Sequence, residues 1–245
     1  MRALPARGEV HVWFGECDHS DSTGDLSLLS REEKIRCARM SCVNDRRAYA
    51  SARAGARRVL AGYFRVSPLR IGISPVTRTS ASRLTVDVMG VVYPVVVDIA
   101  QSQDRWLFGV TTDHPIGLAL EHVQEKVSEK ELEGFLSPAE RDQVLGLTEL
   151  ARGAAFARMR VQKEAVIKAM GAKLRLPPHE VLVHEDHSGS WWVQPYELRE
   201  PSATYTVQDL PAHGPALGAL TQLADNFGPV HCYGSVKMVI PAARR

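Results

Sequence analysis

The sequence predicts a mixed α/β (α+β) protein made of two similar α/β halves related by pseudo-two-fold symmetry, and three observations carry that prediction. The same helix-start signal occurs twice, a long amphipathic segment follows each copy in nearly the same register, and each long segment leads through proline into a β-rich run. One recurrence is too few for a solenoid, which needs at least three stacked copies, so the pattern reads as a duplicated domain. The halves are expected at 1–112 and 113–245, with a ligand expected in the cleft between them.

The elements follow in order. Val10 to Phe14 alternates as a half-buried strand does, and a loop carries the chain to Leu29-Ser30-Arg31-Glu32-Glu33. There Ser30 can cap a helix while Glu33 reaches back to the first amide. The second half repeats the move. Ile116 to Leu120 reads as a strand, and Leu136-Ser137-Pro138-Ala139-Glu140 repeats the capping box with proline in the first helical position, where its missing donor costs nothing. Ser30 and Ser137 stand 107 positions apart. Asn44 to Phe64 answers Ala151 to Gly171, Ser67-Pro68 leads to Leu69 to Ile73, and Pro177-Pro178 leads to Val181 to Val183.

Composition limits the function. With 44% hydrophobic residues in 245, the chain can bury a substantial core, which excludes a disordered or fibrous protein. Thirty basic residues against 28 acidic ones are too balanced for a general affinity for nucleic acid or membrane. The basic run of Arg36, Arg39, Arg46, Arg47, Arg53, Arg57 and Arg58 is expected as a solvated helix face. The short polar N-terminus is no secretory signal and no apolar run reaches about 18 residues, so a cytoplasmic protein is expected. Cys17, Cys37, Cys42 and Cys232 lack metal-ligand spacing, so any cysteine that matters does so as a thiol.

The motifs now point to a family. Asn44-Asp45-Arg46-Arg47 through Arg57-Arg58-Val59-Leu60 looks like the first long helix of the surfactin-type phosphopantetheinyl transferases. Pro115-Ile116-Gly117-Leu118-Ala119-Leu120-Glu121 resembles their Gly-x-Asp-x-Glu strand, and Lys163-Glu164-Ala165-Val166-Ile167-Lys168 resembles their Lys-Glu-x-x-x-Lys helix. The resemblance implies a monomer of two α/β halves that moves phosphopantetheine from coenzyme A to a carrier-protein serine with magnesium.

Against that pattern the chain departs at four places. The first of three magnesium ligands is Ala119, and a methyl group cannot ligate a hard cation. Strand alternation keeps Ala119 and Glu121 on one face, with Glu164 coming from the helix opposite. Gln101-Ser102-Gln103-Asp104 stands where the family contacts coenzyme phosphate, the Gly-Lys-Pro segment has no counterpart around Thr77 to Leu84, and an aromatic is replaced by Arg160. No metal and no directly bound coenzyme A are therefore expected.

What remains is the carrier, whose own phosphopantetheine arm brings a thioester. The expected reaction is carrier-dependent acyl transfer to a small-molecule amine, an amide-forming condensation in natural-product biosynthesis similar to that of the lincosamide-pathway condensing enzymes. Arg160, Lys163 and Lys168 are the expected contacts for the arm. Cys17, in Gly15-Glu16-Cys17-Asp18-His19, is the candidate nucleophile, because a thiolate exchanges with a thioester; the alternative is a small buried apolar residue. Glu121 and Glu164, free of metal duty, could orient a histidine, and His122 is the candidate base, although alternation points it away from the Glu121 face. Two other readings stay open: a coenzyme A-dependent transferase with an altered magnesium site, and an inactive carrier-binding module.

Overall fold

A computed structural model describes residues 3–17, 22–75, 84–171, 177–185, 191–195, 205–223 and 228–234. Its elements repeat. Strand β1 (Val10–Glu16) is followed by helices α1 (Ser22–Leu28), α2 (Arg31–Ala38) and α3 (Val43–Phe64), then strands β2 (Ile71–Pro75), β3 (Leu84–Val88), β4 (Val91–Ser102) and β5 (Arg105–Thr111). Strand β6 (Ile116–His122) opens the second round, with α4 (Glu129–Phe135), α5 (Pro138–Leu145) and α6 (Glu149–Met170). Strands β7 (Val181–Glu185), β8 (Trp191–Pro195), β9 (Tyr205–His213), β10 (Ala216–Leu223) and β11 (Val230–Tyr233) complete it.

Both predicted capping boxes are present, Ser30 with Glu33 at the start of α2 and Ser137 with Glu140 at the start of α5. The long helices α3 and α6 have 22 residues each. One sheet runs β1-β5-β4-β3-β2 and the other β6-β10-β9-β8-β7, the same order element for element. That shared order is consistent with the expected duplication.

One strand crosses the expected boundary. β11 lies parallel to β1, with Val10 opposite Val230 and Trp13 opposite Tyr233, so the first sheet has six strands. Within the expected second half of 113–245, residues 230–233 thus pair with the first sheet. They shield the edge of β1, whose open backbone groups would otherwise face solvent.

The two sheets pack face to face with a long helix outside each. Trp106, Phe108 and Val110 of β5 face α3 with Ala52, Ala56 and Leu60. The other face carries Val10, Val12, Phe14 and Leu107 onto Leu118, Leu120 and Leu220 of the second sheet. The indole of Trp106 lies so near Gly15 and Gly55 that a Cβ at either would overlap it, which is why both positions lack a side chain. The basic run is not wholly a solvated face: Arg57 is buried, its Nη2 2.7 Å from Glu33 Oε2 and its Nε donating to Ile71 O at 3.2 Å.

The seam between the halves is polar at one line. Strand β6 is an edge of the second sheet, so backbone groups on its outer side need partners from elsewhere. Side chains of β4 supply them. Asp98 Oδ2 accepts from Leu118 N at 2.7 Å, and Ser102 Oγ accepts from His122 N at 3.3 Å, both pairs spaced four residues apart. Lys168 of α6 closes the arrangement by pairing with Asp98 Oδ2 at 2.7 Å and donating to Leu118 O at 2.7 Å and Ile99 O at 3.0 Å.

Candidate functional site

The second-half site is set by how closely α6 lies on β6. A Cβ at Gly117 would overlap the Ala165 carbonyl oxygen, so glycine fixes the helix-to-strand distance. Two residues on, Ala119 is buried in an apolar layer with Val161, Ala165 and Val166. Glu121 follows on the same face at the edge of that layer, as alternation predicts, and meets α6 through Arg160.

Arg160 is the pivot. Its Nε donates to Glu164 Oε1 at 3.0 Å and its Nη1 lies 3.5 Å from Glu121 Oε2, while its guanidinium sits over the Phe135 ring, 4.5 Å from the centroid. Burial pushes the Glu121 carboxyl above the usual carboxylate range; Arg160 opposes that, and the neighbouring Glu164 and Glu131 add to it.

The two lysines of the helix motif, expected as contacts for the arm, are engaged within the protein. Lys163 is 1% exposed, with Nζ 2.6 Å from Glu140 Oε2 and 3.1 Å from Pro178 O. Lys168 spends its three donors on Asp98, Leu118 and Ile99. An ammonium has three hydrogens, so none of the Lys168 donors is left for a phosphate. Arg160, the third expected contact, is likewise turned to Glu121 and Glu164.

The magnesium implied by the family resemblance does not fit these residues. Its first ligand position is a methyl packed in the core, and the remaining two carboxylates already share a guanidinium. Among the described residues no group of three His, Cys, Asp or Glu side chains is placed to hold a metal ion.

A second cluster forms where the ends of β1, β4 and β6 meet the start of β5. Glu16 pairs with Arg105 at 2.6 Å, and Asp104 Oδ1 lies 3.8 Å from Arg105 Nε and 3.5 Å from His122 Nε2. Cys17 N donates to Asp104 O at 2.6 Å. The Cys17 thiol is 8% exposed, and burial pushes it up; a hydrogen bond with Ser51 of α3 works in the opposite direction. At rest it is a thiol, not a thiolate. His19, its neighbour in sequence, lies outside the described residues, as do 77–83.

His122 points away from the Glu121 face, as expected, and there it meets Asp104. Neither Glu121 nor Glu164 is what its ring faces, so the expected pairing of a histidine with one of those carboxylates is replaced by His122 with Asp104. With Nε2 3.5 Å from the carboxylate, the tautomer that carries its hydrogen on Nε2 is the one Asp104 favours, and that tautomer leaves a lone pair on Nδ1. Among the described residues Nδ1 is buried without a hydrogen-bond partner.

Burial holds the His122 imidazole below its ordinary value; Asp104 opposes this and Arg105 reinforces it. The folded protein thus binds fewer protons than the unfolded chain as pH falls below about 6.5. The His122 contribution to stability is present above that range and is lost as pH falls through the lowered value. Replacing His122 with Gln is expected to flatten the decline in stability between about pH 7 and 5, measured by urea unfolding at several pH values. An unchanged slope would show that His122 is as hydrated folded as unfolded.

Among the described residues, the seam where the two sheets meet carries a partly open pocket of about 50 Å³ lined by Phe14, Trp106, Leu107, Leu120, Pro211 and Ala216, together with Glu16 and Arg105. Sequence reasoning missed the partners of three residues here. Asp104 as the partner of His122 has no local signal, since it lies in the turn between β4 and β5 of one sheet and His122 ends β6 of the other. Asp98 is visible only as a lone acid in the apolar run Val95 to Ala100. Arg160 had a signal, its spacing of four from Glu164 on one helix face.

Comparison with known proteins gives three findings. Residues 115–220 match the model of the 4'-phosphopantetheinyl transferase superfamily. The crystal structure of a holo-ACP-synthase from Plasmodium yoelii aligns over 44% of this chain and 92% of its own, with 20% sequence identity and a TM-score of 0.36. No curated protein matches the chain.

Proposed function

From the match of residues 115–220 to the model of the 4'-phosphopantetheinyl transferase superfamily, we propose that the chain is a transferase that takes an acyl group from the phosphopantetheine thioester of an acyl or peptidyl carrier protein and passes it to a small-molecule amine. The observation that carries this reading is the strand-end cluster: a buried thiol at Cys17, a carboxylate at Asp104 and a neutral imidazole at His122 whose Nδ1 has no hydrogen-bond partner among the described residues. Those groups supply acyl-transfer chemistry and need no coenzyme A. The natural-product setting and the lincosamide-type amide product are the finer part of the same proposal.

The steps balance. The Cys17 sulfur attacks the thioester carbonyl as His122 takes its proton; the bond from carbon to the pantetheine sulfur breaks, and that sulfur leaves as a thiol with the proton from His122. An amine nitrogen then attacks the Cys17 thioester, the carbon–sulfur bond breaks, and His122 carries the amine proton to the Cys17 sulfur. Exchange between thioesters is nearly isoenergetic, and amide formation makes the second step downhill. Asp104 holds the ring orientation throughout.

The superfamily match itself favours a second reading, transfer of 4'-phosphopantetheine from coenzyme A to a carrier serine. The buried Ala119 argues against it, because the pyrophosphate needs a hard cation and that ligand position is apolar. Intact-mass measurement decides between them. Apo carriers incubated with coenzyme A and magnesium are expected to remain apo, while acyl-loaded carriers with an amine are expected to lose the acyl group as amide. Conversion of apo carriers at ordinary enzyme rates would overturn the first reading in favour of the second.

A further inference from the structure

We infer that Arg160 is a tethered cation that stands in for a divalent ion between Glu121 and Glu164, and that removing its charge opens a latent divalent-cation site. This inference rests on the β6–α6 geometry and is independent of the acyl-transfer reading.

Three observations support it. The guanidinium touches both surviving carboxylates, at 3.0 Å from Glu164 and 3.5 Å from Glu121, so it occupies the place where their negative charges converge. It is held there from a third side by the Phe135 ring, whose π-face is attractive to a cation and adds rigidity to a long side chain. The carboxylates themselves come from a strand and a helix whose separation is fixed by Gly117.

The physics explains why the exchange is workable and what it costs. Two carboxylates brought together at a partly desolvated edge repel each other unless a cation lies between them. A free divalent ion provides two charges but must be recruited from solution and stripped of water. Arg160 provides one charge at permanently high local concentration and satisfies one carboxylate on the same helix at a spacing of four residues. With the guanidinium in place, an incoming ion meets a like charge and finds the carboxylate oxygens already engaged. Without it, the two carboxylates that Arg160 contacts are left to a hard cation, whose shell water can complete.

The test uses Mn²⁺ alone as the probe, with the full chain, Arg160→Met, Arg160→Gln, and Glu121→Gln introduced into each of these and into wild type. Wild type is expected to show no Mn²⁺ binding by electron paramagnetic resonance, and no rise of its melting midpoint with Mn²⁺. Arg160→Met and Arg160→Gln are expected to bind Mn²⁺ at least tenfold more tightly than wild type and to melt higher in its presence. Adding Glu121→Gln to either variant should abolish the gain. Arg160→Gln keeps a polar chain at the position, so it guards against misfolding of the methionine variant. Mn²⁺ binding by wild type that Glu121→Gln removes would overturn the inference, because the carboxylates would then hold an ion despite Arg160. A folded Arg160 variant with no gain would overturn it as well.

Discussion

Cys17→Ala is expected to remove carrier-dependent acyl transfer, with a loss on the order of 10⁴-fold or more, as for deletion of a catalytic nucleophile. The fold should tolerate the change. Cys17 lies at the end of β1, where the strand's own backbone contact, Cys17 N to Asp104 O, does not involve the side chain. Loss of one buried sulfur should cost about 1 kcal/mol, the size of a typical point change. The expected activity loss follows from the chemistry of the cluster. Burial keeps the thiol protonated at rest, so it becomes a nucleophile only when a base receives its proton during attack. His122 is held neutral by burial, and its Nδ1 has no hydrogen-bond partner among the described residues, which is the state a base requires. Mass spectrometry of the protein mixed with loaded carrier, in the absence of amine, should show an acyl adduct on Cys17. Retention of full turnover by the alanine variant would eliminate Cys17 as the nucleophile and leave it as a small core residue.

Lys168→Met is expected to destabilise the protein by about 3–5 kcal/mol, the range for removing one partner of a buried ion pair. Asp98 is almost fully enclosed between the sheets, and the ammonium is its only charged partner among the described residues. Removing the ammonium also takes a donor from the carbonyls of Leu118 and Ile99. Burial already pushes the Asp98 carboxyl up against the opposing pull of Lys168. In the variant that opposition disappears, and Asp98 is driven further toward its neutral form. The folded state then holds a proton that the unfolded chain releases above the ordinary carboxylate range, so the deficit grows as pH rises and shrinks as it falls. Urea unfolding of the single variant and of Lys168→Met with Asp98→Asn measures this. The double variant should recover much of the loss, because a neutral amide no longer requires a cation. A loss below about 1 kcal/mol in the single variant would show that the pair is solvated and adds little.

The sequence by itself determined the repeating elements. Capping boxes at Ser30 and Ser137 and the 22-residue helices α3 and α6 are encoded within a few neighbouring residues, so local hydrogen bonding and periodicity reveal them. The positions of Ala119 and Glu121 on one face of β6 were equally legible, since alternation is a property of a strand alone. Only the tertiary structure decided how those faces are used. It turned Lys163 and Lys168 inward to Glu140 and Asp98, brought His122 onto Asp104, and carried β11 back to β1. Each of these depends on contacts between segments far apart in the chain, whose meeting is set by packing the two sheets together and covering their open edges. A local pattern can offer a charge or a ring; which partner it finds is decided by the desolvation it meets when the halves close.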